Sequence, residues 1–324
     1  MSAVFLLGPT AAGKSALALA VARRLPCEII SVDSGQVYRG MDIGTAKPSA
    51  AERAAVPHHL IDVRSPGDPY SAGQFRADAT ALIEQIRARG RIPLLVGGTF
   101  LYFRALERGL AQLPAADAGL RAVIEAQAAR DGWPAMHAQL AAVDPALAAR
   151  IAPADRQRIA RGLEVFRATG RPLSDWQRQA SEAGGTARLR LILAPPSRHA
   201  LYRAVEARFD AMLAAGLIEE VAALRAAGYS GRLPALRAVG YRQVWRFLDG
   251  ELDRAGMVEA GKTASRQYAK RQLTWLRGDP HGHWLNPASR ALPQRVCRLI
   301  EQALAVRHEP FRAGAVERAA GGRA

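Results

Sequence analysis

The chain has 324 residues, 49% of them hydrophobic, with 45 Lys+Arg against 29 Asp+Glu and a formal net charge of +16. That length allows two domains rather than one core, and that charge suits a polyanionic partner. Only Cys27 and Cys297 are present, far apart in sequence and without metal-ligand spacing, which excludes a disulfide scaffold and a cysteine zinc site; no apolar run nears a membrane span and the chain opens in a strand rather than a leader, so no membrane contact and a cytoplasmic location are expected.

The first predicted strand, Val4-Phe5-Leu6-Leu7, runs into Gly8-Pro9-Thr10-Ala11-Ala12-Gly13-Lys14-Ser15, and a helix is predicted over residues 16–25. This is a phosphate-binding loop in its proper context. Its glycines let the backbone turn so that N–H groups face inward, Lys14 adds a positive point charge, and Ser15 can hold Mg²⁺ beside bound phosphates. A second strand, residues 28–32, delivers Asp33 to its carboxyl end. In an open parallel sheet those ends form the rim where ligands bind, so Asp33 and Ser15 are expected to face one crevice. A third run, residues 91–96, leads into Gly97-Gly98-Thr99, where a nucleoside triphosphatase usually carries a magnesium-binding acid. The two glycines are expected to let a bulky group lie against the backbone, with the Thr99 hydroxyl free to hydrogen-bond it. His58-His59 has no cysteines nearby and predicts no zinc site.

From residue 113 to 186 the pattern is helical only, alanine-rich, and broken at Asp131-Gly132-Trp133-Pro134, Asp144-Pro145 and Gly170-Arg171-Pro172. A buried strand returns at residues 189–194 and rejoins the sheet, followed by helices predicted over 198–227, 239–248 and 257–277. The expected architecture is α/β. A P-loop NTPase-like parallel-sheet core in two parts, 1–112 and 187–306, carries an inserted all-helical domain at 113–186 and a disordered basic tail at 307–324. No internal repeat is visible. In the insertion Arg150, Arg156, Arg158, Arg161, Arg167, Arg171 and Arg178 outnumber Asp155, Glu164 and Asp175. Between residues 261 and 278, Lys262, Arg266, Lys270, Arg271 and Arg277 occur with no acid, and Arg266 and Lys270 share a helix face. A solvated face normally mixes signs, so this stretch predicts a phosphate track; a structural helix is the alternative.

Six blocks in fixed order carry a resemblance to one family: residues 8–15, 33–48 and 94–102, then Asp155-Arg156-Gln157-Arg158-Ile159-Ala160-Arg161, Arg237-Ala238-Val239-Gly240-Tyr241-Arg242, and residues 266–278. The chain resembles the tRNA dimethylallyltransferases, also called tRNA isopentenyltransferases, over most of its length. Gly35 departs from the family pattern, where a larger residue is usual. The resemblance implies dimethylallyl diphosphate as donor, Mg²⁺ as cofactor, and a tRNA anticodon stem-loop as acceptor. It places tRNA contacts at Asp33, Ser34, Gly35, Gln36, Thr99, Arg121, Gln157 to Arg161, Arg237 to Arg242, and Arg266, Lys270 and Arg271, and a further diphosphate contact at Arg208. A monomer is expected.

The chemistry assigns the roles. Breaking the donor's C–O bond leaves negative charge on the diphosphate, which Lys14, the N–H groups of residues 10 to 15 and Mg²⁺ on Ser15 are expected to meet. The nucleophile, an exocyclic adenine amine, turns strongly acidic as its new bond forms, so a carboxylate within reach suffices as base; Asp33 fits, with Thr99 orienting the adenine. The base must be flipped into the crevice, with Tyr38 and Tyr102 as stacking candidates that are equally candidates for the core. A ribose-binding or metal-positioning Asp33 stays open. Two rivals remain: a small-molecule kinase using ATP, opposed by the missing acid at Gly97-Gly98-Thr99, and a non-catalytic RNA-binding module, opposed by intact Lys14, Ser15 and Asp33.

Overall fold

The structure, a computed structural model, describes residues 3–110, 113–114, 117–179 and 187–305; the tail expected at 307–324 lies outside the described residues. Six strands, all parallel, form one sheet: β1 (Ala3–Leu7), β2 (Cys27–Val32), β3 (His58–His59), β4 (Ile92–Gly97), β5 (Ala187–Leu193) and β6 (His283–Leu285), in the order β3-β2-β4-β1-β5-β6. Every residue of β1 and β2 is buried, as expected of strands covered on both faces. Side chains alternate across the sheet. Phe5, Leu7, Ile30, Val32, Leu95 and Ile192 enter one apolar cluster, whereas Val4, Leu6, Ile29, Leu94, Val96, Leu191 and Leu193 enter the other.

Helix α1 (Lys14–Ala22) and the C-terminal α14 (Leu292–Ala305) cover the second face through Leu17, Leu19 and Val21 and through Leu292, Val296 and Ile300. The first face is covered by α3 (Ala72–Ala88) and α4 (Phe100–Arg108), with α10 (Arg198–Ala214), α11 (Leu217–Ala226), α12 (Tyr241–Leu248) and α13 (Arg254–Arg277) beyond them. A short α2 (Ala50–Ala55), capped at both Ser49 and Glu52, precedes β3. Between α4 and β5 lie α5 (Ala118–Asp131), α6 (Trp133–Val143), α7 (Pro145–Ala148), α8 (Arg156–Thr169) and α9 (Leu173–Gln179), which bury a separate cluster around Ile124, Leu140, Ile159 and Leu163.

Several details differ from expectation or add to it. The helix predicted over 198–227 is two helices, because Gly216 takes the left-handed conformation at φ +100°. Strands β3 and β6 and helix α14 are additional to the expected elements; β3 and β6, of two and three residues, are too short to show a period. Cys27 and Cys297 pack in the same cluster as free buried thiols, and burial together with the neighbouring Cys297 pushes the Cys27 thiol up to about 12. Gly97 and Gly98 serve the protein's own packing. A Cβ on Gly97 would lie 2.0 Å from the Val32 carbonyl oxygen, and one on Gly98 would lie 2.5 Å from Gln272 Nε2.

Candidate active site

The carboxyl ends of β1, β2 and β4 bring Lys14, Asp33 and Gly98 into one crevice, which α10 and α13 close with Arg208, Tyr268 and Gln272. Helix α1 starts at Lys14 behind Gly13, which sits at φ +87° and offers no side-chain cap. The first-turn N–H groups of α1 therefore lack intrahelical partners and form an anion cradle. Ala11 is held in the left-handed region at φ +60°, a strained state for a residue with a side chain. The cradle is narrower than expected from the loop alone. Thr10 N–H donates to Gln272 Oε1 at 2.8 Å and Ala12 N–H to the Pro9 carbonyl at 3.4 Å, so neither points at a ligand.

Lys14 Nζ donates to the Pro9 carbonyl at 2.8 Å. The residue as a whole is half-buried, but its ammonium is enclosed; that burial lowers its pKa to about 7, with Arg208 adding repulsion and Asp33 opposing both. Arg208 is itself enclosed, and burial lowers its pKa while Asp33 raises it. Its Nη2 reaches the Thr45 carbonyl at 3.4 Å, and it makes no ion pair among the described residues. Two enclosed cations thus face one another across a space suited to an anion.

Asp33 Oδ1 accepts from Gly35 N–H at 2.8 Å and Gln36 N–H at 3.3 Å, an Asx-type turn that fixes the carboxylate. Oδ2 receives no hydrogen bond among the described residues and is available to take a proton. Thr99 is laced to the same rim: its Oγ1 accepts from Ser34 N–H at 3.1 Å, and its N–H donates to the Val32 carbonyl at 3.2 Å. Gln36 lines the crevice, yet its amide is spent on Ser31 Oγ at 2.8 Å and on the Thr45 and Ala46 carbonyls at 3.3 and 3.2 Å. The Ser34 side chain, in contrast, is exposed.

A family model described as IPP transferase matches residues 36–279. The chain belongs to the IPP transferase family. Two similar relatives are both called tRNA dimethylallyltransferase: one from Ralstonia nicotianae, 55% identical over 312 residues (93% of this chain, 96% of that one), and one from Aromatoleum aromaticum, 60% identical over 278 residues (85% and 87%). Among solved structures, the tRNA isopentenylpyrophosphate transferase of Bacillus halodurans superposes with a TM-score of 0.69 at 36% identity, covering 94% of this chain and 97% of that one. A eukaryotic dimethylallyltransferase acting on tRNA, 24% identical with a TM-score of 0.78 over 94% of this chain and 80% of that one, shares the fold.

Beyond the crevice, the IPP transferase fold separates surface positions from buried ones within the expected tRNA-binding blocks. Gln157 and Arg158 on α8 are exposed, with Arg158 paired to Asp155 at 3.0 Å. Ile159 is fully buried and Ala160 packs beside it in the insertion's core, so their side chains are structural. Arg161 and Arg121 converge on the buried Glu164, at 3.1 and 3.0 Å, and join α5 to α8. In the block 237–242 the exposed side chains are Arg237 and Arg242. Ala238 and Val239 are half-buried, Gly240 is buried at φ +94°, and Tyr241 is fully buried with its hydroxyl donating to Glu220 Oε1 at 2.5 Å. Tyr241 is thus a core residue. Glu220 also accepts from the N–H groups of Asp42, Ile43 and Gly44, anchoring the loop that carries Thr45.

The expected phosphate track on α13 is also revised. Arg266 is paired with Glu206 at 2.5 Å and Glu259 at 3.1 Å, and Lys262 with Asp210 at 2.8 Å; the acids missing from the local sequence come from α10 and from the turn before. Lys270 and Arg271 remain exposed, Arg271 lying 6.0 Å from the Tyr268 ring centre. Tyr38 and Tyr102 are both core residues, Tyr102 stacked on Phe75 at 4.3 Å. Among the crevice residues that the sequence analysis does not name as candidates are Tyr268, Gln272 and His58. His58 Nδ1 lies 2.7 Å from the Val56 carbonyl, which can only accept, so that nitrogen carries the proton, and burial lowers the ring's pKa. Tyr268 and Gln272 lie inside the block 266–278, but nothing in the sequence alone turns either toward the crevice.

Proposed function

We propose that this family member transfers a dimethylallyl group from dimethylallyl diphosphate to the N6 amine of the adenosine 3′-adjacent to the anticodon, in tRNAs reading codons that begin with U, and releases diphosphate. It acts as a monomer in the cytoplasm. What carries the reading is a single crevice holding a fixed carboxylate, Asp33, and two enclosed cations, Lys14 and Arg208, which need an anionic ligand. The C–O bond of the donor breaks and an N6–C bond forms; the amine proton passes to Asp33 Oδ2, and the bonding pair leaves with the diphosphate. Lys14, Arg208 and the first-turn N–H groups of α1 meet that charge, each such preorganised donor contributing about 3 kcal/mol.

The adenine enters the crevice flipped, at a cost of a few kcal/mol. Thr99 and the Ser34 hydroxyl stand at the rim to orient it, and Tyr268, Ala46 and Pro48 offer apolar surface. Among the described residues no cluster of three His, Cys, Asp or Glu could cage a metal. The exposed Ser15 hydroxyl at the start of α1 would instead help hold a Mg²⁺ brought in with the diphosphate. Such an ion supplies further neutralisation of the leaving group. The anticodon stem-loop is held by the exposed basic side chains Arg158, Arg237, Arg242, Lys270 and Arg271. Among the described residues no helix is long and apolar enough to cross a membrane.

The test incubates the protein with unmodified tRNA, Mg²⁺ and either dimethylallyl diphosphate or ATP, followed by mass analysis of the digested nucleosides. A five-carbon gain on adenosine is expected. ADP formation with a phosphorylated small molecule would instead establish a kinase.

A further inference from the structure

Helix α13 meets the phosphate-binding loop at an apolar cluster holding Ala269 and Leu273, against which Ala11 packs, and hydrogen-bonds the loop through Gln272. Gln272 is 4% exposed, and its carboxamide spans two segments that are distant in sequence. Oε1 accepts from Thr10 N–H at 2.8 Å, and Nε2 donates to the Gly98 carbonyl at 2.9 Å. The orientation is unambiguous, because a backbone N–H can only donate and a carbonyl can only accept. Neither a carboxylate nor a thioether satisfies both ends. The fit is tight: a Cβ on Gly98 would meet Nε2 at 2.5 Å, so the glycine makes room for this amide. One turn along α13, Trp275 stacks on Phe100 at 4.6 Å with the rings 5° apart, fastening the same helix to α4 directly after Thr99. One turn back, Tyr268 lines the crevice, and the exposed Lys270 and Arg271 lie on the same helix.

We propose that Gln272 is a positioning residue that sets the spacing between the leaving-group cradle and the rim that orients the acceptor base, and so couples the two substrate sites through α13. Gln272 bonds the loop on one side and the Gly98-Thr99 rim on the other; it touches neither reacting atom. RNA phosphates docking on Lys270 and Arg271 act on the helix that holds both bonds. Binding of the anticodon stem-loop thereby stiffens the cradle, and each substrate raises the affinity for the other by the same factor. This inference rests on the prenyl-transfer reading above, of which it specifies the substrate coupling.

The experiment uses the full chain with Gln272→Met, which keeps length and apolar packing but has no donor and only a weak acceptor, and Gln272→Glu, which keeps the Thr10 bond and faces the Gly98 carbonyl with like charge. Inorganic pyrophosphate with Mg²⁺ is titrated calorimetrically with and without an anticodon stem-loop RNA, and kcat and KM are measured with dimethylallyl diphosphate. In the wild type the RNA is expected to tighten pyrophosphate binding about tenfold. In both variants that factor should fall to near one and kcat by about tenfold or more, with RNA affinity in the absence of pyrophosphate within twofold of the wild type. A retained coupling factor in Gln272→Met, no coupling in the wild type, or a uniform loss of RNA binding would overturn the proposal. Should Gln272→Met not fold, Gln272→Glu and the wild-type coupling factor still decide. A wild type that couples the two ligands but transfers no prenyl group would sink the functional reading and leave the coupling intact.

Discussion

Diphosphate binding beside Lys14, as proposed, is expected to take up a proton. The enclosed ammonium of Lys14, destabilised by burial and by Arg208, titrates near pH 7 in the free protein. A bound diphosphate brings negative charge to that group and raises its pKa again, so the complex keeps the proton that the free protein loses. The sign is therefore fixed: affinity falls as pH rises above 7. With half the lysines charged at pH 7 and about one in eleven at pH 8, the affinity for Mg²⁺-pyrophosphate should drop about fivefold over that unit and about tenfold more by pH 9. Calorimetry in two buffers of different ionisation heat should show close to one proton taken up per anion at pH 8, after subtraction of the ligand's own titration. Lys14→Arg keeps its charge throughout and supplies that baseline. Removing the repelling neighbour, as in Arg208→Gln, should shift the fall to higher pH while weakening binding overall. A wild-type affinity that runs parallel to Lys14→Arg between pH 7 and 9 would refute the enclosed-lysine argument.

Other outcomes follow from the same geometry. Asp33→Ala should lower kcat by about 10² to 10⁴ while leaving tRNA affinity within twofold, as measured by single-turnover transfer and filter binding, because the carboxylate acts only as the proton leaves; a parallel loss of binding would assign it to recognition instead. Replacing Lys270 and Arg271 together by alanine should reduce the slope of log affinity against log salt by about one per lost phosphate contact. Arg266→Ala should instead lower the melting temperature with little change in that slope, since it leaves Glu206 and Glu259 without their partner. Gly97→Ala should cost about 3 kcal/mol or more in denaturant unfolding, because the Val32 carbonyl oxygen 2.0 Å from the added carbon belongs to the paired strand and cannot withdraw.

Much of the site was legible because its parts are local. The loop from Gly8 to Ser15 sits between a strand and a helix, and Asp33 and Thr99 follow directly on strands, so the parallel-sheet rule places all of them on one edge. Misreadings arose where a residue's meaning depends on a distant partner. Gly97 and Gly98 look like room for a ligand until Val32 and Gln272 are seen against them. Arg266 looks like a phosphate ligand until Glu206, sixty residues earlier, is placed beside it. Tyr241 and Ile159 lie inside surface-bearing blocks, yet their helical positions turn them into two different cores.

By itself the sequence determined strands β1, β2, β4 and β5 with the loops that follow them, the anion-binding turn, the strand-end carboxylate and the helical insertion, because each is written in short-range periodicity and in the conformational freedom of glycine. Only the tertiary structure decided which cations lack internal partners, which loop N–H groups are already taken, and that an amide on α13 joins the loop to the opposite rim. Hydrogen bonds and ion pairs act over about 3 Å, and that proximity is created by packing between distant segments, 262 residues apart for Thr10 and Gln272.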